Sequence, residues 1–226
     1  MKKIIVIAVN TGIGNVLMVN PMIEEIKKKF NNSKISVLVS SSSCKKVLEN
    51  NPNIDGIIIL NKRNRGVERF FPLGGLGQII ELKKEKFDIS FTIMPHSYYG
   101  SFCALFINAR KKISHNLCKI DFLQNELIKL KKVHDVVQNI YLVNSDYNST
   151  PSLKIWLKGN EKKGKLYESV GIHVGCDASS EFKRWPIENF IELSKKLARD
   201  KFDVIFFIGP DEKELKKIIE RENGFR

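Results

Sequence analysis

Cysteine is scarce in this sequence, and each cysteine stands apart from the others. The 226 residues contain four, namely Cys44, Cys103, Cys118 and Cys176. They form no C-x-x-C pair, and none has the spacing to histidine that is typical of a zinc site. We therefore expect each to be a buried or incidental thiol, and we expect no metal and no cofactor.

Long hydrophobic runs are also missing. No stretch approaches the roughly 20 apolar residues that a membrane-spanning helix needs. The run from Met1 to Val9 resembles the start of a signal peptide. Polar Asn10 and a glycine turn follow it, however, where a cleavage site would stand. We interpret this run as a first β-strand and expect a cytoplasmic protein.

The sequence contains no recognisable nucleic-acid-binding module. Much of the formal net charge of +13 comes from lysines spread over predicted helix faces, as in E-E-I-K-K-K at 24–29. Basic clusters interleaved with aromatic residues, which nucleic-acid binders show more often, do not occur. The charge therefore predicts no nucleic-acid partner, and it leaves an anionic substrate or an anionic membrane surface open.

Segments of strand type alternate with segments of helix type along the first two thirds of the chain. Apolar and β-branched runs predict strands at 3–9, 35–39, 56–60, 88–94 and 111–115. Helical spacing predicts helices at 18–30, 43–50, 79–84, 101–107 and 133–143, and residues 11–15 read as a tight turn. This β-α-β alternation predicts an α/β fold with a doubly wound parallel sheet of Rossmann-like type.

A polar segment that ends in proline, N-S-D-Y-N-S-T-P at 144–151, is the best candidate for a linker. We assign residues 1–148 to an N-terminal domain and residues 149–226 to a C-terminal domain. The pattern after the linker predicts strands at 152–157, 169–174 and 203–208 and helices at 186–199 and 213–222. So few elements cannot cover both faces of a sheet, and we expect the second domain to be incomplete in this sequence.

A loop of small residues connects the predicted strand at 169–174 to the following helix. It lies within H-V-G-C-D-A-S-S-E-F-K-R-W-P, from His173 to Pro186. Such a loop can direct backbone N–H groups and a helix N-terminus at an anion. Lys183 and Arg184 add positive charge just before the helix, so the segment predicts half of a nucleotide-diphosphate site.

The β-α-β opening also suggests a dinucleotide-dependent oxidoreductase. T-G-I-G-N-V at 11–16 lacks the G-x-G-x-x-G spacing, however, and no acidic residue closes the second strand at 39–41. Both features disfavour this alternative.

Several motifs carry a resemblance to a known family when they are read in order. They are G-I-G-N-V-L-M-V-N-P-M at the start, F-D-I-S-F-T-I-M-P-H-S, H-D-V-V-Q-N-I-Y-L-V, and then G-I-H-V-G, K-R-W-P-I-E-N-F and F-F-I-G-P-D-E-K-E. This ordered set resembles glycosyltransferase family 9, the lipopolysaccharide heptosyltransferase-like enzymes of GT-B architecture. The resemblance implies two Rossmann-like domains that face one another across a cleft.

The resemblance also implies a reaction. In this reaction a heptose-like sugar is transferred, with inversion, from an ADP-linked nucleotide-diphosphate sugar to a lipopolysaccharide-like or other surface glycan acceptor. Lys183 matches the phosphate ligand of the family's K-x-W-P element, Gly175 and Cys176 stand where the phosphate loop passes, and Glu212 matches a position that contacts the nucleoside. The nucleotide-sugar is a substrate in this scheme.

The acceptor side is expected in the N-terminal domain. Gly12 and Gly14 belong to the first loop, with a plain strand-to-helix turn as the alternative. Arg63 and Arg65 are candidates to meet an anionic glycan or a lipid-linked saccharide, with a solvated loop as the alternative. A lipid-linked acceptor would bring the protein into peripheral contact with the inner face of the membrane.

The sequence departs from the family in two ways. Asn15 stands where the family has an aspartate base, and a neutral amide cannot accept a proton. His96, after the fourth strand, is the alternative candidate base, unless it is an exposed loop histidine. The family's later D-x-G-P-x-H-like donor loop is also absent, so a non-catalytic remnant or a sugar-nucleotide-binding module is the alternative function.

Overall fold

A computed structural model describes residues 1–9, 11–60, 75–94, 98–117, 119–156, 169–176, 178–209 and 212–223. The chain divides into two compact units, Met1–Gly159 and Asn160–Arg226. Each unit has its own parallel sheet and its own hydrophobic core.

The first unit is a doubly wound α/β unit. Its strands are β1 (Lys2–Ala8), β2 (Ser33–Val39), β3 (Gly56–Ile59), β4 (Ile89–Thr92), β5 (Lys111–His115) and β6 (Glu126–Ile128). Its helices are α1 (Ile13–Leu17), α2 (Asn20–Lys29), α3 (Ser42–Lys46), α4 (Leu76–Lys84), α5 (Tyr98–Ile107) and α6 (Asp135–Tyr141). The strands pair in the order β3-β2-β1-β4-β5-β6, all parallel. This is the Rossmann order, with its switch point between β1 and β4.

The central strand β1 is apolar because both of its faces are covered. Ile4 and Val6 pack in one core with residues of α2 and α6, while Ile5 and Ile7 pack in a second core with residues of α4 and α5. All four side chains are at most 1% exposed. Alternating side chains of one strand therefore belong to two cores, which accounts for the unbroken β-branched run in the sequence.

A chain of buried amides connects α2 to the segment that follows the polar stretch 144–151. The Asn51 side chain donates to Asn20 Oδ1 at 2.9 Å, and the Asn20 side chain donates to the Lys154 carbonyl at 2.8 Å. Asn20 and Asn51 are 1% and 3% exposed. These buried amides are stable because they pair with one another and with the backbone.

His115 ends β5 and is completely buried. Its Nδ1 lies 3.0 Å from the Ile128 carbonyl and its Nε2 lies 3.0 Å from the Gln138 carbonyl. A neutral imidazole donates to one of these oxygens, and a protonated ring donates to both. The ring links β5 to β6 and to α6.

The second unit is smaller. Its elements are β7 (Ser169–His173), a 3₁₀ turn (Ala178–Lys183), α7 (Ile187–Arg199), β8 (Asp203–Phe207) and α8 (Lys213–Asn223). The two strands pair in parallel over five positions. Ile172, Val174 and Ile219 form the buried core of this unit. On β8, the side chains of Ile205 and Phe207 are about half exposed to solvent (50% and 56%).

Three local predictions differ from the structure. The strand predicted at 152–157 does not form in its described part, 152–156, because no strand pairs with it and the Lys154 carbonyl bonds to Asn20 instead. The turn predicted at 11–15 is partly helical, since α1 starts at Ile13, and a separate helix α2 follows. The short strand β6 lies where the sequence pattern predicted no element.

No helix in the described part of the chain is long and apolar enough to cross a membrane.

Candidate functional site

The candidate site in the second unit lies at the carboxyl edge of its sheet. β7 and β8 run parallel with His173 opposite Phe207, so the loops that follow the two strands emerge side by side. Gly175 and Cys176 follow β7, and Gly209 and Glu212 follow β8. Open α/β sheets bind their ligands at this edge.

Glu212 brings these two loops together. Its side chain is 8% exposed. A Cβ atom at Gly175 would lie closer than 3.0 Å to Glu212 Oε1, and one at Gly209 would lie closer than 3.0 Å to Oε2. The two carboxylate oxygens thus rest against two different glycines, and a methyl group at either position would displace the carboxylate.

The Glu212 carboxylate has no ion-pair partner among the residues that the structure describes. The Glu212 backbone is held locally, since its N–H donates to the Gly209 carbonyl at 3.2 Å and its carbonyl accepts from the Lys216 N–H at 3.0 Å. A carboxylate so placed has oxygens available to accept hydrogen bonds from hydroxyl groups of a ligand.

The turn before α7 holds the predicted phosphate ligand. Lys183 is exposed at the end of the 3₁₀ turn, with its ammonium 5.5 Å from the Phe182 ring. Arg184 forms an ion pair with Glu181 at 3.1 Å and buries its Nε without a hydrogen-bond partner in the described residues. Lys183 forms no salt bridge with Glu212, although both are described, so its side chain can turn toward an anion.

The start of α7 is fixed by two neighbouring residues. Pro186 is the N-cap, and the Trp185 ring packs edge-on against Phe190, with 4.9 Å between ring centroids. Proline pre-sets the backbone at a helix start. The orientation of the preceding turn, with Lys183, therefore depends on packing against the first turns of α7.

The first loop of the first unit lies at the β1/β4 switch point. Gly12 caps α1, and Gly14 and half-buried Asn15 lie inside this short helix. A Cβ at either glycine would meet nothing within 4 Å, so the space over the loop is open. The structure thus places all three residues at the edge where α/β sheets bind ligands.

A hydrogen bond from the neighbouring strand anchors the other side of the switch point. The Met94 N–H, just after β4, donates to Asn139 Oδ1 at 2.7 Å. Asn139 is completely buried in α6. His96 follows shortly but lies outside the described residues, as do Arg63 and Arg65, so their roles stay predictions. Asn139 could not be identified from the sequence, because its partner Met94 is far away in the chain.

No group of three or more side chains able to hold a metal occurs among the described residues. Gly209 also lies at this site, and it is not among the residues predicted from the sequence. Its signal was present in F-F-I-G-P-D-E-K-E, where the glycine comes directly after a strand and just before Glu212.

The sequence model of glycosyltransferase family 9 (heptosyltransferase) matches residues 79–225. The match covers more than half of the chain and includes β4, Gly175, Lys183 and Glu212. The chain belongs to glycosyltransferase family 9.

Solved structures of family 9 proteins have the same fold. The family 9 glycosyltransferase of Veillonella parvula DSM 2008 superposes with a TM-score of 0.78 at 22% identity, over 97% of this chain and 66% of that one. The E. coli ADP-heptose lps heptosyltransferase II superposes with a TM-score of 0.77 at 17% identity. The superposition covers 98% of this chain and 68% of that one. E. coli heptosyltransferase WaaC with ADP-2-deoxy-2-fluoro heptose superposes with a TM-score of 0.72 at 13% identity. The superposition covers 96% of this chain and 73% of that one.

At these identities the likeness establishes the fold. The predicted class, α/β with Rossmann-like parallel-sheet domains of the GT-B type, is confirmed. The chain spans about two thirds of the length of the first two of these proteins. No curated protein sequence gives a significant match.

Proposed function

We propose that this family 9 chain binds a nucleotide-diphosphate sugar, ADP-linked, and transfers its heptose-like sugar with inversion to a lipopolysaccharide-like or other surface glycan acceptor. The observation that carries the proposal is the Glu212 carboxylate seated on Gly175 and Gly209 at the carboxyl edge of β7 and β8. The E. coli proteins of the same fold are named for ADP-heptose or were solved with its analogue, which supports the same donor class here.

The donor fits this edge by its chemistry. Glu212 accepts hydrogen bonds from hydroxyls of the nucleoside, because an ionised carboxylate accepts and does not donate. In this proposal the loop of Gly175 and Cys176 offers backbone N–H groups to the diphosphate, and Lys183 supplies positive charge. This charge matters most as the glycosidic bond breaks, because the diphosphate then takes the bonding electron pair and leaves.

The acceptor approaches the first loop, at Gly12 and Gly14. Its hydroxyl oxygen bonds to the anomeric carbon from the face opposite the diphosphate, which inverts that carbon, and the hydroxyl proton passes to a base. Asn15 cannot accept that proton but can orient the hydroxyl. His96 is the candidate base. Arg63 and Arg65 would meet an anionic acceptor, and a lipid-linked one would place the chain at the inner membrane face.

Titration calorimetry with ADP and with an ADP-sugar tests the donor site. We expect binding by the wild-type chain and a loss of about tenfold in affinity for Lys183→Ala, since a charge-assisted phosphate contact is removed. Lys196→Ala is the matched control, because Lys196 is exposed on α7 and, within the described chain, forms an ion pair only with Glu192. Equal ADP affinity in the wild type and Lys183→Ala would refute the phosphate assignment.

A second candidate function, nucleotide-sugar binding without transfer, is favoured by one observation, the amide of Asn15 at the base position. Incubation with an ADP-sugar and a lipopolysaccharide-core acceptor, followed by mass spectrometry and by NMR of the new linkage, separates the two. Product with inverted anomeric configuration supports transfer. ADP binding without product supports the binding module.

A further inference from the structure

A groove on the first unit lies away from both candidate sites. It has a volume of about 760 Å³ and is lined by Ile80, Lys83, Leu105, Phe106, Asn108, Lys112 and Leu123. These residues come from the second half of α4, the end of α5, the start of β5 and the turn before β6. The groove therefore lies toward the edge where the strands begin, opposite the edge that carries the first loop.

The wall formed by α5 is unusual for an outer helix. Its ten residues, Y-Y-G-S-F-C-A-L-F-I, contain no charged side chain. Cys103 and Ile107 are buried in the core, but Tyr98 and Phe106 are 58% and 43% exposed. A helix at a protein–water boundary normally has polar and charged residues on its outer face. This outer face is apolar and aromatic.

Aromatic contacts hold Phe106 in place. The rings of Phe106 and Phe102 are 4.3 Å apart, and Phe102 is stacked with Tyr99 at 6.3 Å. Across the groove, Ile80 and Leu123 are 47% and 49% exposed. Phe106, Ile80 and Leu123 therefore bring exposed apolar side chains together in one groove.

Two lysines line the same groove. Lys112 is only 9% exposed. Among the described residues its ammonium reaches only neutral oxygens, Asn108 Oδ1 and the Ala109 carbonyl, each at the long distance of 3.5 Å. Lys83 is exposed on α4, and neither lysine forms an ion pair with another described residue. None of the described lining residues is acidic.

We propose that this groove docks the chain on an anionic phospholipid bilayer, with lipid phosphate at Lys83 and Lys112 and with Phe106 and its apolar neighbours in the headgroup and acyl boundary. Charge complementarity selects this occupant, because a bilayer presents phosphate and hydrocarbon side by side, as the groove presents ammonium and aromatic side chains. The proposal does not depend on sugar transfer or on the acceptor site at the first loop.

Co-sedimentation with vesicles tests the proposal. We expect binding to vesicles of equal parts phosphatidylglycerol and phosphatidylcholine, weakened by added salt, and little binding to pure phosphatidylcholine. Lys83→Gln should weaken the binding about fivefold, and Phe106→Ser about tenfold. Both positions are exposed, so the variants are expected to fold.

Matched controls are available. Lys45→Gln removes an exposed charge from α3, which packs on the other face of the sheet. Phe202→Ser removes an exposed phenylalanine from the second unit, just before β8 and away from the donor edge. Both should bind vesicles as the wild type does. All variants should bind ADP equally, so a failure of the donor site and a failure of the lipid site are distinguishable.

Four outcomes would overturn the proposal: no vesicle binding, equal binding to both vesicle types, equal binding by the groove variants and the controls, or full competition by millimolar inorganic phosphate, which would indicate a small-anion site. A dimer in sedimentation velocity that Phe106→Ser dissociates would show that a second copy covers the groove.

Discussion

The carboxylate of Glu212 lies directly on the backbone of Gly175, so close that a methyl group on the glycine cannot fit beside it. The two residues belong to loops that follow different strands. Their contact therefore links the β7 loop to the β8 loop, and it fixes the position of the one buried carboxylate that we found at this edge of the described second unit.

The first prediction concerns this contact. Gly175→Ala should displace the Glu212 side chain, destabilise the second unit by about 1–3 kcal/mol and weaken ADP binding about tenfold. Gly77→Ala is the control, since a Cβ there meets nothing within 4 Å. Calorimetry with ADP and urea unfolding measure the two effects.

A double-mutant cycle shows whether the clash is the cause. If Gly175→Ala acts by displacing Glu212, its cost in unfolding free energy should largely disappear in a Glu212→Ala background. An unchanged cost in that background would assign the effect to the loop backbone instead.

The second prediction concerns the base position. If His96 does not supply the base, Asn15→Asp should raise the rate of sugar transfer by about 100-fold or more, because a carboxylate can take the acceptor proton and an amide cannot. ADP affinity should not change, since Asn15 lies in the first unit. Asn15→Ser is the control for loss of the amide. A rate that Asn15→Asp leaves unchanged would place the base elsewhere, and loss of transfer in His96→Ala would then identify it.

The third prediction concerns the buried amides. Asn20→Leu should lower the free energy of unfolding by about 1–3 kcal/mol, because the Lys154 carbonyl and the Asn51 side chain each lose a partner. Urea unfolding followed by circular dichroism measures the change. Asn31→Leu, in the exposed turn after α2, is the matched control. Equal stability of the two variants would contradict the network.

The fourth prediction is a pH dependence at Asp55. Partial burial by itself raises the pKa of this carboxyl, but the Ile35 N–H at 2.8 Å and the Lys27 ammonium at 3.1 Å outweigh it, so the pKa lies below its usual value of 3.8. A carboxyl with a lowered pKa stabilises the fold above 3.8, and this contribution is lost as the pH falls through the folded-state value.

Asp55→Asn should therefore be less stable than the wild type at neutral pH, by about 0.5 kcal/mol because the pair is partly exposed. The difference should shrink between about pH 5 and about pH 2. Urea unfolding across this range measures it, with exposed Glu49→Gln as control. A difference that stays constant with pH would refute the charge assignment.

Much of the fold could be predicted from local patterns. The strands β1, β2 and β4 are buried on both faces, and burial of both faces leaves an unbroken apolar run. β6 could not be predicted, because its three residues, E-L-I, are too few to show a hydrophobic repeat. The strand forms through pairing with β5. Residues 152–156 alternate like a strand but pair with none of the strands that the structure describes.

The part of the candidate site that lies next to predicted strands and helices could be predicted from the sequence. Gly175 and Glu212 follow strands that the apolar runs predict, and Lys183 precedes a predicted helix, so their edge of the sheet was expected. The contact between Glu212 and Gly175 was not, because it depends on how two distant loops meet. The groove between α4 and α5 could not be predicted for the same reason, although the sequence predicts a helix at 101–107.

The hydrogen bond from Asn20 to the Lys154 carbonyl has a practical consequence for dividing the protein. A first-unit polypeptide that stops before Lys154 exposes two buried amides to water through the gap that the missing residues leave. One that continues through residue 156 keeps the described network intact. Limited proteolysis should accordingly spare the peptide bonds around Lys154, and a split-protein design should place its break beyond them.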